Sequence, residues 1–186
     1  MTIKRIIDTR QRMYSHILPK NAIVAELGVS RGHNAFDLIV PLSNPKELHL
    51  IDDWKYGNSC SRSKSETRNA QMESKRKASK YTNPIIHIGD TVETMKTFED
   101  NYFDWVYVDG DHSYDGCMRD LVVCSKKVKD DGYIAGHDYE VFTKEEKRKW
   151  GVKKAVDDFC LKYDYEMIYL TYSEKEAPSF ILQKLK

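Results

Sequence analysis

The chain has 186 residues, enough to bury a core between a sheet and two helix layers, and its 40% hydrophobic and 32% charged content excludes a disordered or fibrous protein. A formal net charge of +1, from 30 basic and 29 acidic residues, leaves no global field to draw nucleic acid or an anionic membrane, so any basic site must be local. No apolar run reaches membrane length, the first twenty residues lack a secretory core, and Cys60, Cys117, Cys124 and Cys160 show neither metal-ligand pairing nor disulfide density, so one domain over 1–186 in a reducing, cytoplasmic setting is expected.

Apolar residues at Ile3, Ile6, Ile7, Met13, Tyr14 and Ile17 carry helical spacing, and Pro19 ends the run, so residues 1–20 read as an N-terminal capping helix. Short β-rich runs then alternate with helical stretches. Strands are expected at 22–27, 47–52, 85–89, 103–110 and 132–138. Helices are clearest at 114–128 and at 151–162, where Val152, Ala155, Val156, Phe159 and Cys160 share a face. Cys117 and Cys124 share a stripe with Leu121 and Val128 and read as packing residues, as does Trp105 inside its strand. Two last strands, 165–172 and 178–185, are joined by a short polar loop that suits a hairpin. The expected fold is α/β: a Rossmann-like, doubly wound, mostly parallel seven-stranded sheet with a C-terminal antiparallel hairpin and helices on both faces.

The first strand runs into Glu26 and a turn of the form Glu26-x-Gly28-x-Ser30-x-Gly32. A dinucleotide turn would read G-x-G-x-x-G and turn its amides on a pyrophosphate; a carboxylate here suits a cation better. Taken alone, the segment could equally be an ordinary strand-to-helix turn. Three further strand ends follow in order: Asp52 with Asp53, Gly89-Asp90, and Asp109-Gly110. A carboxylate at Asp52 can take both hydroxyls of a ribose, and the turn at Gly89 can meet an adenine edge. S-adenosylmethionine, with an ammonium, a sulfonium and no phosphate, matches these electrostatics.

In this order and spacing the chain resembles the class I S-adenosylmethionine-dependent methyltransferases over nearly its full length. The segments VYVDGDHSYDGCMRDL, DDGYIAGHDY and GVKKAVDDF resemble more narrowly the branch that includes metal-dependent macrolide-sugar O-methyltransferases. That resemblance implies Glu26, Gly28, Ser30 and Gly32 around the methionine end, Asp52 on the ribose with Asp53 as the alternative, and Gly89 with Asp90 on the adenine, Asp109 closing the pocket.

Methyl transfer needs alignment and a way to remove the acceptor's proton. Asp109 ends the fourth expected strand, and His137 and Asp138 end the fifth, so three possible metal ligands converge. Two carboxylates suit Mg²⁺, while a histidine tilts the preference toward Mn²⁺. Sugar-branch relatives carry a carboxylate, and catechol-type relatives an Asp-Asn pair, where this chain has His137 and Asp138. His112 resembles the general base of the sugar enzymes, the alternative being a helix cap; Asp111 reads as a supporting or capping residue and Tyr114 as a pocket wall. His16, His33, His49 and His87 have no partner pattern.

Residues 55–80 form a basic insertion. Arg62, Lys64, Arg68 or Arg76 could meet an anionic acceptor such as a nucleotide sugar or phosphorylated glycan, or could line a solvated helix face. Trp54 and Tyr56 could cover the cofactor, and residues 140–151 read as a flap with Tyr139, Phe142 and Trp150 available to hold a ring. The expected function is O-methylation of a sugar or other small-molecule hydroxyl. Rival readings are a nicotinamide oxidoreductase, a non-catalytic cofactor-binding module and a metal-independent N-methyltransferase.

Overall fold

The computed structural model describes residues 3–55, 63–140, 150–172 and 177–185. Tyr56, Cys60, Arg62, Phe142 and most of the expected flap lie outside the described residues. In chain order the elements are β1 (Arg5–Ile7), α1 (Arg10–Ile17), β2 (Ile23–Leu27), a π-helical segment (Asn34–Ile39) running into α2 (Val40–Ser43), β3 (Glu47–Asp52), α3 (Lys64–Ala78), β4 (Pro84–Ile88), α4 (Thr91–Lys96), β5 (Phe103–Val108) and α5 (Tyr114–Lys127). They continue as β6 (Val128–Gly136), α6 (Val152–Tyr163), β7 (Tyr165–Thr171) and β8 (Phe180–Lys184).

Eight strands form one sheet in the order β1-β7-β8-β6-β5-β2-β3-β4. All neighbours run parallel except β8, which pairs antiparallel with both β6 and β7. The hairpin and the doubly wound parallel sheet are therefore as expected, with one strand more than seven. The additional strand is β1, which lies parallel to β7 with Ile6 opposite Leu170. It corrects the expected capping helix: the helix starts only at Arg10, because Thr9 adopts extended backbone angles and its side chain accepts the Arg12 amide. Upstream of that cap, β-branched Ile6 and Ile7 gain more by adding a strand to the open edge of β7 than one isolated helical turn could supply.

Strand alternation divides the core. Ala25, Leu27, Val106 and Ile134 face α5 and α6, packing on Leu121, Cys124, Val156 and Phe159. Val24, Leu48, Trp105 and Tyr107 face the other way, onto Met13, Tyr14 and Ile39. The period of two therefore puts Glu26 on the α1 face, opposite Tyr107 of β5. The chain leaves β2 toward β3 and β4, then returns to β5 on its other side, so the sheet's switch point lies between β2 and β5. Among the described residues no helix is long and apolar enough to cross a membrane.

Candidate active site

Above the carboxyl ends of β2 to β6 lies a crevice with two lobes that meet at Gly28, Ser30 and Asp109. The larger, about 500 Å³, is lined by Asp52, Asp53, Trp54, Gly89, Asp90, His112 and Asp138, with Lys55 and Arg119 among its cations. The smaller, about 380 Å³, is lined by Arg10, Glu26, Asn34 and His137.

The glycine turn is built for close approach. Gly28 has φ +84°, and a Cβ there would lie 2.1 Å from the Asp109 carbonyl oxygen, so only glycine lets the ends of β2 and β5 touch. Gly32, at φ +71°, would press a Cβ on the Phe36 ring; it shapes the entry to the next helix and lines neither lobe. The Asp52 carboxylate accepts the Ser30 amide at 2.8 Å and the Trp54 amide at 2.7 Å, while the Trp54 indole donates to the Ser30 carbonyl at 3.0 Å. Asp53 accepts the Lys55 amide at 2.9 Å. Asp90 caps α4 by accepting the Glu93 amide, which brings Gly89 and Thr91 to the lining.

Glu26 is 2% exposed, and its Oε2 has no hydrogen-bond partner. Burial, and then the charge of Asp109, push its carboxyl well above the usual carboxylate range. Three more buried polar atoms without partners belong to residues of the same small lobe: Arg10 Nε, Asn34 Nδ2 and His137 Nε2. Buried groups of this kind cost stability unless a ligand completes them. Arg10 and Asn34 carry no signal in the sequence, and Tyr14 reads there only as an apolar helix position. Tyr14 donates to Asn34 Oδ1 at 2.9 Å, which fixes the amide so that Nδ2 is the end turned to Glu26, whose carboxyl it partly holds down without reaching full hydrogen-bond geometry. A π-helix at Asn34–Ile39 was no part of the expectation either, although such helices recur at functional sites.

At the junction of β5 and β6, His112 Nε2 lies 3.1 Å from Asp138 Oδ2 and 3.4 Å from Asp109 Oδ1. Burial opposes its charge, but the Asp109 and Asp138 carboxylates outweigh burial and raise the imidazole's pKa. His137 Nδ1 is 3.0 Å from Asp138 Oδ1, leaving Nε2 as its unpartnered atom. Asp109, His137 and Asp138 each offer one ligand atom within 4.8 Å of the others. Asp138 holds its place at φ +59°, a left-handed conformation that costs a non-glycine residue about 1 kcal/mol or more.

The other expected residues divide. Trp150 packs on the His112 ring with centroids 4.3 Å apart. Tyr139 is buried and donates to Asp157 at 2.7 Å, and Tyr114 donates to Asp158 at 2.9 Å, so both phenols are tied to α6. Asp111 accepts the Ser113 amide. Lys64, Arg68 and Arg76 are exposed on α3 and line neither lobe, which favours the solvated-face reading; the larger lobe draws its cations from Lys55 and Arg119 instead. Cys117, Cys124 and Cys160 are free and buried. Asp120, which was not singled out, is 2% exposed, accepts Thr91 Oγ1 at 2.6 Å and lines the larger lobe.

A family model described as a methyltransferase domain matches residues 25–139. Among solved structures, the chain is similar to the O-methyltransferase TomG from Streptomyces achromogenes in complex with SAM, with TM-score 0.63 and 13% identity over 92% of this chain and 75% of that one. It is similar to protein PH0226 from Pyrococcus horikoshii OT3, with TM-score 0.64 and 16% identity over 94% of this chain and 86% of that one. A ribosomal protein L11 methylase from Lactobacillus delbrueckii subsp. bulgaricus gives TM-score 0.62 and 10% identity over 94% and 77%. At these identities the structures show a shared fold. No curated protein sequence matches.

Proposed function

The chain belongs to the methyltransferase domain family as a class I S-adenosylmethionine-dependent methyltransferase, and from that premise we propose that it methylates a hydroxyl of a small-molecule acceptor. In this reading His112 takes the proton, Asp109, His137 and Asp138 hold a divalent cation, and residues 1–186 act as one domain. The observation that carries it is that His112 Nε2 lies within 3.4 Å of the carboxylates of both Asp109 and Asp138, two of the three residues whose ligand atoms cluster within 4.8 Å.

The donor's shape and charges fit the crevice. The ammonium of its amino-acid end suits the small lobe, where Glu26 Oε2 lacks a partner, and its nucleoside end suits the larger lobe with Asp52, Gly89 and Asp90. Gly28 and Ser30 lie at the junction, and Gly32 shapes the turn. The cation site also fits, because one imidazole and two carboxylates are donors that Mg²⁺ or Mn²⁺ accepts, and the Asp138 contact orients the His137 ring. When bound, the donor supplies a methyl group on positively charged sulfur, and the cation supplies charge that acidifies an acceptor hydroxyl.

The chain's own residues manage the proton. The His112 imidazole accepts it, and the carboxylates of Asp109 and Asp138, which face its Nε2, stabilise the imidazolium that forms. Trp150, against the ring, keeps water from that side. Lys55 and Arg119 suit an acceptor that carries an anionic group, such as a nucleotide sugar or phosphorylated glycan.

The test is calorimetry with S-adenosylhomocysteine, with and without Mg²⁺ or Mn²⁺, followed by methyl transfer from labelled donor to a panel of sugar, nucleotide-sugar and phenolic hydroxyls. Cofactor binding together with chelator-sensitive transfer to oxygen supports the reading. Transfer insensitive to chelator, or to amines only, overturns it.

A further inference from the structure

The segments VYVDGDHSYDGCMRDL, DDGYIAGHDY and GVKKAVDDF are separate in the chain, and the fold bonds them to one another. The third opens α6, whose Val152, Ala155, Val156 and Phe159 pack on the sheet. Its paired acids, Asp157 and Asp158, have no place in the chemistry described above. As consecutive helix positions they point about 100° apart and reach two different loops. Asp157 Oδ1 accepts the Tyr139 hydroxyl at 2.7 Å, and Asp158 Oδ2 accepts the Tyr114 hydroxyl at 2.9 Å.

Each tyrosine adjoins a residue of the proposed centre. Tyr139 follows Asp138, whose left-handed backbone at φ +59° persists only where the surroundings over-determine it. Before Asp138, the His137 amide donates to the Val108 carbonyl at 3.3 Å; after it, the Tyr139 amide donates to the Pro178 carbonyl at 3.1 Å. The buried Tyr139 phenol adds a side-chain anchor on that second flank. Tyr114 stands two residues after His112 and opens α5. The start of α6 grips this segment again, because the Gly151 amide donates to the His112 carbonyl at 2.7 Å. A Cβ on Gly151 would lie 2.5 Å from the Tyr114 amide nitrogen, so the two stretches of backbone touch here. Lys154 lies over the Tyr114 ring, 4.8 Å from its centroid, and pairs with Asp158.

Resting on the reading above that makes Asp138 a cation ligand and His112 the base, we infer that Asp157 and Asp158 are positioning residues. Asp157 holds Asp138 through Tyr139, and Asp158 holds His112 through Tyr114. None of Tyr114, Tyr139, Asp157 and Asp158 lines either lobe, so α6 sets the spacing of ligand and base from behind the crevice wall. The two acids lie outside the 25–139 segment that matches the family model.

Two measurements test the two arms without an acceptor: Mn²⁺ calorimetry, and acylation of imidazoles by diethyl pyrocarbonate in metal-free protein, read histidine by histidine by mass spectrometry. Tyr139→Phe keeps the ring and loses the hydroxyl, and should weaken Mn²⁺ binding about 10-fold, the lower range for a group that orients a ligand. Asp157→Asn keeps an acceptor for the phenol and should hold Mn²⁺ affinity within about twofold of wild type. Tyr114→Phe should also leave Mn²⁺ affinity within about twofold. It should speed acylation of the buried His112 about 3- to 10-fold, the equivalent of one net hydrogen bond, with the exposed His16 and His33 unchanged. Wild-type Mn²⁺ affinity in Tyr139→Phe, an equal loss in both Phe variants, or wild-type acylation of His112 in Tyr114→Phe overturns the inference while leaving the methyltransferase reading intact. If the wild type binds no Mn²⁺, the cation site falls and takes the Asp157 arm with it, and acylation of His112 still decides the Asp158 arm.

Discussion

The Asp52 carboxylate accepts the backbone amide of Ser30 at 2.8 Å, so the acid that ends β3 also holds the glycine turn after β2 in place. Its other oxygen accepts the Trp54 amide. Replacing Asp52 by alanine should therefore loosen the turn as well as remove a ribose partner. We expect Asp52→Ala to weaken S-adenosylhomocysteine binding by about 10- to 100-fold and to lower thermal stability, since hydrogen bonds to a charged acceptor are worth roughly 1.5–3 kcal/mol each. Asp53→Ala, which removes the acceptor for the Lys55 amide, should change affinity by less than about fivefold. A larger loss in Asp53→Ala than in Asp52→Ala would move the ribose role to Asp53.

Glu26 couples donor binding to protons. Burial and the nearby Asp109 charge raise its carboxyl pKa in the empty pocket, and a bound ammonium would lower it again. Binding should therefore release up to one proton. Affinity should fall as pH drops below the raised pKa, by at most about tenfold per pH unit. Calorimetry in buffers of different ionisation enthalpy measures the release, and Glu26→Gln should abolish it and weaken binding. Proton release unchanged in Glu26→Gln would place the linkage on another group.

His112 separates chemistry from donor binding, whereas Asp109 borders both lobes. His112→Ala should lower turnover by about 10²- to 10⁴-fold, the usual worth of a positioned general base, with S-adenosylhomocysteine affinity kept within about threefold. Asp109→Asn should abolish turnover and raise the Mg²⁺ or Mn²⁺ concentration needed for activity, because Asp109 belongs to the Asp109, His137 and Asp138 cluster. Wild-type turnover in either variant would remove the proposed roles.

The legible part of this molecule is the part written locally. Apolar runs ending in Glu26, Asp52 and Asp109 mark strand ends, and parallel strands bring their ends to one crevice, so these side chains could be placed together without coordinates. Arg10 could not, because its importance depends on α1 crossing the sheet to meet Tyr107, ninety-seven positions later in the chain. Asn34 was hidden by the π-helix, whose spacing differs from the helical period used to read faces. The strand Arg5–Ile7 was hidden by its length: three residues carry too few repeats to separate a period of two from one of 3.6.

Asp120 makes the last prediction, one of stability. It is buried on α5 between Thr91 and Gly110, and burial pushes its carboxyl up to about 6. Asp90 and Asp111 push the same way, against the Thr91 hydrogen bond and the Arg119 charge. An acid whose folded pKa exceeds its unfolded value binds more protons when folded, so stability falls as pH rises from about 4 through 6, and the full penalty applies above that. Asp120→Asn keeps an acceptor for Thr91 Oγ1 but carries no charge. It should therefore be more stable than wild type at pH 7, by up to about 3 kcal/mol from the shift in pKa, with the difference shrinking toward zero near pH 4. Thermal melts of the two proteins across that range decide it. A variant less stable than wild type at pH 7 would mean that the ionised carboxylate has a partner strong enough to repay its burial.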